Sequence, residues 1–246
     1  MYLYEMHQHT ARCSGCASAY SVDVVRALKK AGFSGVVMTN HFFHGYTAVS
    51  HELPWEDFVR PYEEDYLIAK AEGDKIGIDV LFGIEEGVGG GKEVLLYGIT
   101  PKLLYSHPEL ASMSLQDNKY LSHLSHIVRE AGGLVYQAHP YRVRDYIKDP
   151  QEALPVGLLD GIEAYNACNS EQENALAVQY AKQHNLPVTA GSDSHVADFA
   201  YSRFGIACPY RLHTEADLAK ALRTGDYEVY LGEATENSHT KTKRAN

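Results

Sequence analysis

The sequence has few cysteines and no long apolar segment. Four cysteines in 246 residues are too sparse for a disulfide scaffold, so we expect reduced thiols at Cys13, Cys16, Cys168 and Cys208. No uninterrupted apolar run reaches the ~20 residues that a membrane-spanning helix needs. The N-terminus also lacks the basic region and apolar core of a signal peptide. These absences favour a cytoplasmic protein that does not enter a membrane.

Basic residues are also in the minority. The chain has 22 lysines and arginines against 32 aspartates and glutamates, which gives a net charge of −10. A polyanion would meet a repulsive surface, and this argues against broad binding to long nucleic acid or to anionic lipid. We therefore expect a small-molecule partner, and the sequence leaves the oligomeric state open.

The length and the apolar content of 45% are sufficient for one domain with a full hydrophobic core. We assign this domain to residues 1–232. The remaining residues, 233–246, are rich in Thr, Lys, Glu and Asn, and we expect them to form a disordered tail.

Short apolar runs alternate with helical patterns along the chain. The runs read as mostly buried strands at residues 2–6, 35–39, 78–84, 94–99, 133–138, 161–165 and 186–190. Helices are predicted at 22–31, with Ser21 as N-cap and Gly32 as the stop, and at 119–131 and 171–184. This β-α rhythm favours an α/β barrel over two domains. The polar and aromatic segment 42–72 reads as an insertion that could form a lid.

Side chains of the types that bind metal ions follow five of the predicted strands. In parallel α/β folds the loops after the strands converge on one face, so these side chains are expected to meet there. His7 and His9 are two residues apart on an extended strand, so both imidazoles point to one side and can bind one ion. Asp193 and His195 repeat this spacing. The remaining strand ends carry His41, Glu85 and His139.

Each pair alone has an ordinary structural explanation, such as a hydrogen-bonded core histidine or a loop cap. Five separate strand ends would each need such an explanation, and this favours a shared ionic centre. The motifs are His7-x-His9-Thr10, Thr39-Asn40-His41, Gly83-Ile84-Glu85, Ala138-His139-Pro140 and Gly191-Ser192-Asp193-Ser194-His195. Together and in this order they resemble the polymerase and histidinol phosphatase (PHP) family, over about four-fifths of the chain.

The resemblance implies a distorted (β/α)7 barrel with a metal site at the C-terminal ends of the strands. It implies two or three divalent ions, commonly manganese, iron or zinc, and hydrolysis of phosphate esters. The first ion would be held by His7, His9, Glu85 and Asp193. Glu85 and His139 would hold the second ion, and His41 and His195 would serve a third.

The sequence departs from the family pattern at several positions. Ser14 and Gly15 stand where much of the family has a histidine or aspartate, which weakens the third site. Leu95 occupies the position of a further histidine ligand to the second ion, and His107 lies too far along the chain to replace it. Asn40 stands where the family usually has aspartate, and Glu86 is expected beside the ligands or exposed.

Cys13 and Cys16 follow the first motif closely. A thiolate could complete the weakened third site, since cysteine binds zinc and iron well. Two small residues packed in a turn explain the pair more simply. A redox role ranks last, because no helix N-terminus follows in the expected strand context.

The expected reaction is attack on a phosphate ester by a hydroxide that bridges two ions sharing Glu85. Asp193 and His195 are the predicted catalytic residues, and His195 would protonate the leaving group if a third ion does not occupy it. Arg142 and Arg203 follow two of the motifs and are candidates for binding the phosphate, because a guanidinium matches its geometry.

Three other functions remain open from the sequence. The same centre could hydrolyse an amide or a lactone. It could also cleave short oligonucleotides as an exonuclease, although the acidic balance counts against long nucleic acid. A regulatory module that binds metal without catalysis would explain the missing histidine at Leu95.

Overall fold

The computed structural model describes residues 1–198 and 204–232, which form a mixed α/β fold. Its strands are β1 Tyr2–Gln8, β2 Gly35–Met38, β3 Asp79–Phe82, β4 Ile84–Gly89, β5 Lys92–Tyr97, β6 Leu134–Gln137, β7 Gly161–Asn166, β8 Val188–Gly191, β9 Gly205–Cys208 and β10 Glu228–Tyr230. Its helices are α1 Ser21–Lys30, α2 Trp55–Ile76, α3 Pro101–Tyr105, α4 Lys119–Glu130, α5 Glu171–His184 and α6 Glu215–Thr224. Short 3₁₀ turns lie at Pro108–Ser112, Gln116–Asn118 and Val156–Leu158.

The strands form two five-stranded sheets, in the orders β10-β9-β1-β2-β3 and β4-β5-β6-β7-β8. Parallel pairs join β1 to β2, β2 to β3, β6 to β7 and β7 to β8. In contrast, β5 runs antiparallel to both of its neighbours, and β9 runs antiparallel to β1 and β10. The α/β class is confirmed, but among the described residues the strands form two mixed sheets and not one closed parallel barrel.

The single strand predicted at residues 78–84 is wrong. The chain leaves β3 at Gly83 and enters β4, which belongs to the other sheet. A Cβ atom at Gly83 would lie 2.8 Å from Val37 Cγ1 and 2.9 Å from the Leu96 carbonyl oxygen. Only glycine fits where the chain passes between the two sheets.

The predicted helices are present, with small differences at their ends. Ser21 is the first residue of α1 and does not cap it, since the N-cap position falls on Tyr20. Gly32 adopts a positive φ of 90° just after the helix, as a helix stop requires. The latter part of segment 42–72 belongs to α2, so the extent of the predicted lid is reduced to the loop before that helix.

One apolar cluster packs between the two sheets. It joins Tyr4 and Met6 of β1 to Leu95 and Tyr97 of β5 and to Tyr136 of β6. A second cluster packs α1 and α2 against β2 and β3, and a third packs α2, α4 and α5 against the other sheet. The sheets are therefore joined through a buried core.

Backbone hydrogen bonds also join the two sheets at two places. Gln8 at the end of β1 forms a parallel bridge with Ser194, just after β8. His41, after β2, forms a parallel bridge with Glu85 of β4. We call these two places the seams, and all of the predicted metal-binding motifs except that of His139 lie at them.

The remaining expectations concern membrane-spanning helices, the C-terminal tail and Arg203. Among the described helices, none is both long and apolar enough to cross a bilayer. The predicted tail, 233–246, and Arg203 lie outside the described residues.

Candidate metal centre

The two histidines at the end of β1 point to one place. Their side chains are fully buried, and His7 Nε2 lies 3.1 Å from His9 Nε2. Residues two apart on a strand share a face, which brings both rings to the same side. The predicted geometry of the first motif is therefore present.

Carboxylates from the other sheet meet these imidazoles. Glu85 Oε1 is 3.2 Å from His7 Nε2, and Glu85 Oε2 is 3.2 Å from His9 Nε2. Asp193 Oδ1 lies 3.5 Å from His7 Nε2 and 3.2 Å from His9 Nε2. These four side chains come from distant parts of the chain and meet at one buried place.

His139 and His41 extend the cluster on the far side of Glu85. His139 Nε2 is 2.9 Å from Glu85 Oε1, and His41 Nδ1 is 3.0 Å from Glu85 Oε2. Glu93 lies beside them, with carboxylate oxygens 3.2 Å from His41 Nδ1 and 3.4 Å from His139 Nε2. Glu85 is thus shared between two groups of imidazoles.

The sequence reasoning missed Glu93 and considered Leu95 instead. Because β5 is antiparallel to its neighbours, its first residues and not its last reach the centre. Glu93 and Leu95 are two apart and share a face, but Leu95 is deeper and packs in the core between the sheets. The acidic residue two positions before Leu95 was the feature of the sequence that could have indicated Glu93.

His195 lies at the edge of the cluster. Its ring stacks on His9 with 4.5 Å between centroids, and its Nδ1 is 2.8 Å from the Asp193 backbone oxygen. With 30% of its side chain exposed, it is the most accessible of the five clustered histidines. Burial and the neighbouring His9 lower the pKa of His195 to about 4.

Glu163 of β7 orients two of the clustered residues, although no sequence motif indicated it. Its Oε1 is 2.9 Å from His7 Nδ1, and its Oε2 accepts a hydrogen bond from the His139 backbone N–H at 3.0 Å. A carboxylate on Nδ1 fixes the tautomer so that Nε2 faces the cluster. Gly191 allows this approach, because a Cβ there would lie 2.5 Å from both Glu163 Oε1 and His7 Cβ.

The backbone at two of the clustered residues has an unusual conformation. His139 has a φ of 29° and Asp193 has a φ of 53°, in the region that favours glycine. Such conformations cost on the order of 1–3 kcal/mol and concentrate at functional sites. The Asp193 N–H donates to the His7 carbonyl oxygen at 3.0 Å, which holds the strained turn against β1.

The departures around the first motif form a hydrogen-bonded support. Ser14 Oγ is 3.1 Å from His9 Nδ1 and accepts a hydrogen bond from the His41 backbone N–H at 3.0 Å. Asn40 Oδ1 accepts hydrogen bonds from Thr10 and Ser14. Ser14 therefore contacts His9 through its hydroxyl, at the position where the family pattern has a histidine or aspartate.

Arg142 lies beside the cluster and is largely buried. Its guanidinium donates to Asp193 Oδ2 at 2.6 Å, to Asn166 Oδ1 at 2.9 Å and to Asn169 Oδ1 at 2.8 Å. Most of its donors are thus used within the protein.

The two cysteines after the first motif lie in different environments. Cys13 is fully buried in the core, and burial raises the pKa of its thiol well above the ordinary value. Cys16 is exposed and lines the cleft beside His41.

Glu86 is not exposed; it is fully buried and accepts hydrogen bonds from Tyr120 and the His44 backbone N–H.

The electrostatics of the cluster call for positive charge. Burial would raise the pKa of Glu85, but His7 and His41 outweigh it and hold that pKa well below the usual value. Burial would likewise raise the pKa of Asp193, whereas His7, His9 and Arg142 hold it well below. Buried anions need paired cations, which either protonated imidazoles or metal ions can supply.

The donor atoms fit divalent metal ions. Within each of three groups the candidate ligand atoms lie within 4.8 Å of one another; the groups are His7, His9 and Glu85; His9, His41 and His195; and His41, Glu85 and Glu93. Moreover, His41 Nδ1 and Glu85 Oε2 are buried without a well-aligned hydrogen bond. Imidazole nitrogens and carboxylate oxygens suit zinc, iron and manganese.

The cluster opens onto a cleft of about 650 Å³. Glu85, Glu93, His139, Asp193 and His195 form part of its wall. The rest includes His41, Arg142, Lys92, Tyr46, Tyr146, Leu115, Cys16 and the glycine-rich turn at residues 87–91. A molecule of moderate size can therefore reach the candidate ligands.

Comparison with known sequences gives one family match. Residues 171–227, from the start of α5 to the segment before β10, match a family described as PHP-associated. No curated protein matches the chain.

Solved structures resemble the whole fold. A two-domain protein from Bacteroides vulgatus that contains a predicted PHP-like metal-dependent phosphoesterase is 16% identical, with a TM-score of 0.65 over 94% of this chain and 64% of that one. The fold of this chain is therefore similar to that of a protein that contains a predicted PHP-like domain. The sequence-based resemblance is thus confirmed by the fold and by the C-terminal family match.

Two further structures share the fold. An amidohydrolase from Chromobacterium violaceum, with bound sulfate and no metal, is 15% identical, with a TM-score of 0.54 over 78% of this chain and 87% of that one. A lesion-specific endonuclease from Pyrococcus furiosus is 14% identical, with a TM-score of 0.57 over 93% of this chain and 57% of that one. This chain spans less than two thirds of the endonuclease and of the Bacteroides protein.

Proposed function

We propose that this protein is a metal-dependent hydrolase of phosphate esters that acts on a small phosphomonoester or a short nucleotide. The observation that carries the proposal is the convergence of imidazole and carboxylate groups from both sheets on one buried space beneath a cleft. The likeness to a protein that contains a predicted PHP-like phosphoesterase supports it. We also infer that the two sheets are the halves of a distorted barrel.

In this proposal two or three divalent ions, of manganese, iron or zinc, occupy the centre. His7, His9, Glu85 and Asp193 would hold the first ion. Glu85, Glu93 and His139 would hold the second, so that Glu93 supplies the ligand that Leu95 does not. The third site would be formed by His41 and His195, with Cys16 beside it.

When bound, the ions lower the pKa of coordinated water and neutralise charge on the phosphoryl oxygens. The chain itself supplies position and exclusion of water. Glu163 and Ser14 keep His7 and His9 in fixed orientations through their Nδ1 atoms. We propose His195, the accessible histidine, first as a ligand of the third site, because its lowered pKa leaves the imidazole neutral at pH 7. The alternative role, proton donor to the leaving group, requires that the imidazole first take up a proton.

The cleft supports a substrate of limited size. Lys92 and Arg142 place cationic groups in its wall, which suits an anionic ester. The net charge of −10 counts against long nucleic acid, whereas a short nucleotide would fit.

Hydrolysis of an amide or lactone is the second candidate, and the likeness to an amidohydrolase favours it. The same ions would polarise a carbonyl group. The cationic groups in the cleft favour the phosphate ester. Parallel assays of an aryl phosphate and of amide and lactone substrates would separate the two.

The test is Asp193→Asn, which keeps the size of the side chain and removes its charge. We expect the wild-type protein loaded with manganese, iron or zinc to hydrolyse a generic aryl phosphate. The variant should lose this turnover and bind less metal by elemental analysis, because Asp193 contacts both His7 and His9. Asp74→Asn, at an exposed position on α2, is the matched control. Full activity and metal content in Asp193→Asn would refute the assignment.

A further inference from the structure

A second cluster of metal-binding side chains lies on the surface of the protein. His107 Nδ1 is 2.7 Å from Glu109 Oε1, and His123 Nε2 is 3.0 Å from the same oxygen. The candidate ligand atoms of all three residues lie within 4.8 Å of one another. Each side chain is between 26% and 42% exposed, so a solvated ion can reach it.

This cluster is separate from the centre beneath the cleft. His107 and Glu109 belong to the 3₁₀ turn at Pro108–Ser112 and its N-cap, and His123 lies on α4. None of the three lines the cleft. The PHP resemblance assigns them no role, since His107 lies too far along the chain to serve the second ion.

We propose that His107, Glu109 and His123 form a surface site for a zinc ion. Two imidazoles and one carboxylate can bind zinc with water in the fourth position, an arrangement that is more usual at catalytic than at structural zinc sites. Nitrogen ligands favour zinc over magnesium or calcium, which prefer oxygen. The ligand atoms already lie within 4.8 Å of one another, so little rearrangement is needed.

The charge at the cluster suits a cation. Although partial burial opposes it, hydrogen bonds from His107 and His123 lower the pKa of Glu109 to about 2. Glu109 is therefore a carboxylate at neutral pH. Zinc would replace the hydrogen-bonding protons between the three side chains.

An ion here would join two segments that the backbone leaves separate. It would fasten the turn at Pro108–Ser112 to α4. The same turn contacts the cleft wall, because His44 Nε2 lies 3.2 Å from the Leu110 carbonyl oxygen and His44 lines the cleft. The role we assign to this zinc is structural support of that wall.

The experiment counts zinc in the full chain. Metal-free protein is equilibrated with excess zinc, freed of unbound ion and analysed for zinc per chain. His107→Ala/His123→Ala should hold one zinc fewer than wild type and should be less stabilised by zinc in thermal unfolding. Magnesium should not occupy the site. His126→Ala is the matched control, since His126 is an exposed histidine on the same helix.

Two further variants make the result decisive. Glu109→Gln keeps the size of the side chain and should also lose one zinc, which covers the case in which the double variant folds poorly. Asp193→Asn should keep the surface zinc while it loses metal from the centre, so the two proposals fail independently. Equal zinc content in wild type, the double variant and Glu109→Gln would overturn the surface site, as would a loss with His126→Ala alone.

Discussion

Hydrogen bonds from neighbouring residues hold individual side chains of the centre in place. Glu163 contacts His7 Nδ1, Ser14 contacts His9 Nδ1, and Arg142 donates to Asp193. Such partners set the tautomer and direction of each ligand, and removing one typically costs ~10–100-fold in metal affinity or activity. We therefore expect metal binding at this centre to be sensitive to residues that would not touch an ion.

Glu93 gives a direct test of the second ion site. Glu93→Gln removes a charge that faces His41 and His139, so we expect at least ~10-fold weaker metal binding, with a matching loss of turnover. Elemental analysis and an aryl phosphate assay measure the two effects. Glu130→Gln, exposed on α4, should change neither. If Glu93→Gln retained wild-type metal affinity, Glu93 would not be a ligand of the second ion.

Arg142 was predicted from the sequence to bind phosphate, and its contacts lead us to expect another result. Arg142→Lys keeps the charge but cannot span Asp193, Asn166 and Asn169 at once. We expect metal content and kcat to fall by ~10–100-fold, because Asp193 loses its support. The neighbouring exposed Arg144→Lys is the control. A raised KM with unchanged metal content would instead support direct phosphate binding.

The sequence was sufficient to predict the histidines and the acidic residues that follow strands. His7, Glu85, His139 and Asp193, expected to meet, lie within a few ångströms of one another. Glu93 and Glu163 were missed because each depends on how its strand is paired. Pairing direction is a long-range property, and no local pattern in β5 or β7 reveals it.

Helix α5 has a well-defined start. Ser170 and Glu173 form a capping box, in which each side chain binds the backbone N–H of the other. Glu173 also accepts a hydrogen bond from the Val143 N–H at 2.7 Å. The first turn of α5 thus holds the loop that carries Arg142.

Ser170→Ala tests this cap. We expect a loss of about 1 kcal/mol in the free energy of unfolding, since one helix N–H loses its acceptor. Denaturant titration measures it, with Ser122→Ala at an exposed position inside α4 as the control. Metal content should stay at the wild-type level. A stability equal to that of wild type would show that the cap contributes nothing to this helix.

The long helices were predictable from their periodic patterns, whereas the strands β9 and β10 were not predicted. The helices at 119–131 and 171–184 follow apolar spacing and end signals that are local in the sequence. In contrast, β9 and β10 pair antiparallel and fall outside the β-α rhythm from which the other strands were predicted. The break at Gly83 depends on its contacts with Val37 and Leu96, which are set only in the folded chain.

At the scale of the molecule, the candidate ligands lie on both sheets and at both seams. His7 lies near the end of β1 in one sheet and His9 directly follows that strand, whereas Glu85 and Glu93 belong to the other sheet. A cation between them would add attraction at a place where backbone pairing between the sheets is limited to isolated bridges. Metal binding and the stability of the whole fold are therefore expected to be coupled.

Removal of metal should consequently destabilise the protein. A ligand present at a hundred times its dissociation constant stabilises the folded state by about 2.7 kcal/mol, or roughly 5–10 °C in Tm at this size. We expect a chelator to lower Tm by this amount and manganese to restore it. Asp193→Asn should show little response to either. An identical change in Tm in wild type and variant would show that the metal acts at a site other than this centre.

The α/β class could be predicted because alternating patterns run through the whole sequence. The division into two sheets could not, since it depends on which strands pair after the core between Tyr4, Leu95 and Tyr136 has formed. The parallel rhythm of the sequence hid the antiparallel β5.

The ligand set also has a consequence for biosynthesis. Its members are spread from His7 to His195, so a nascent chain on the ribosome carries an incomplete set until the segment after β8 has emerged. Because such sites rarely exist in unfolded chains, ions can be captured at full affinity only after the segment that carries Asp193 and His195 has emerged. A product truncated before Asp193 would retain several of the histidines but would bind metal ions only weakly.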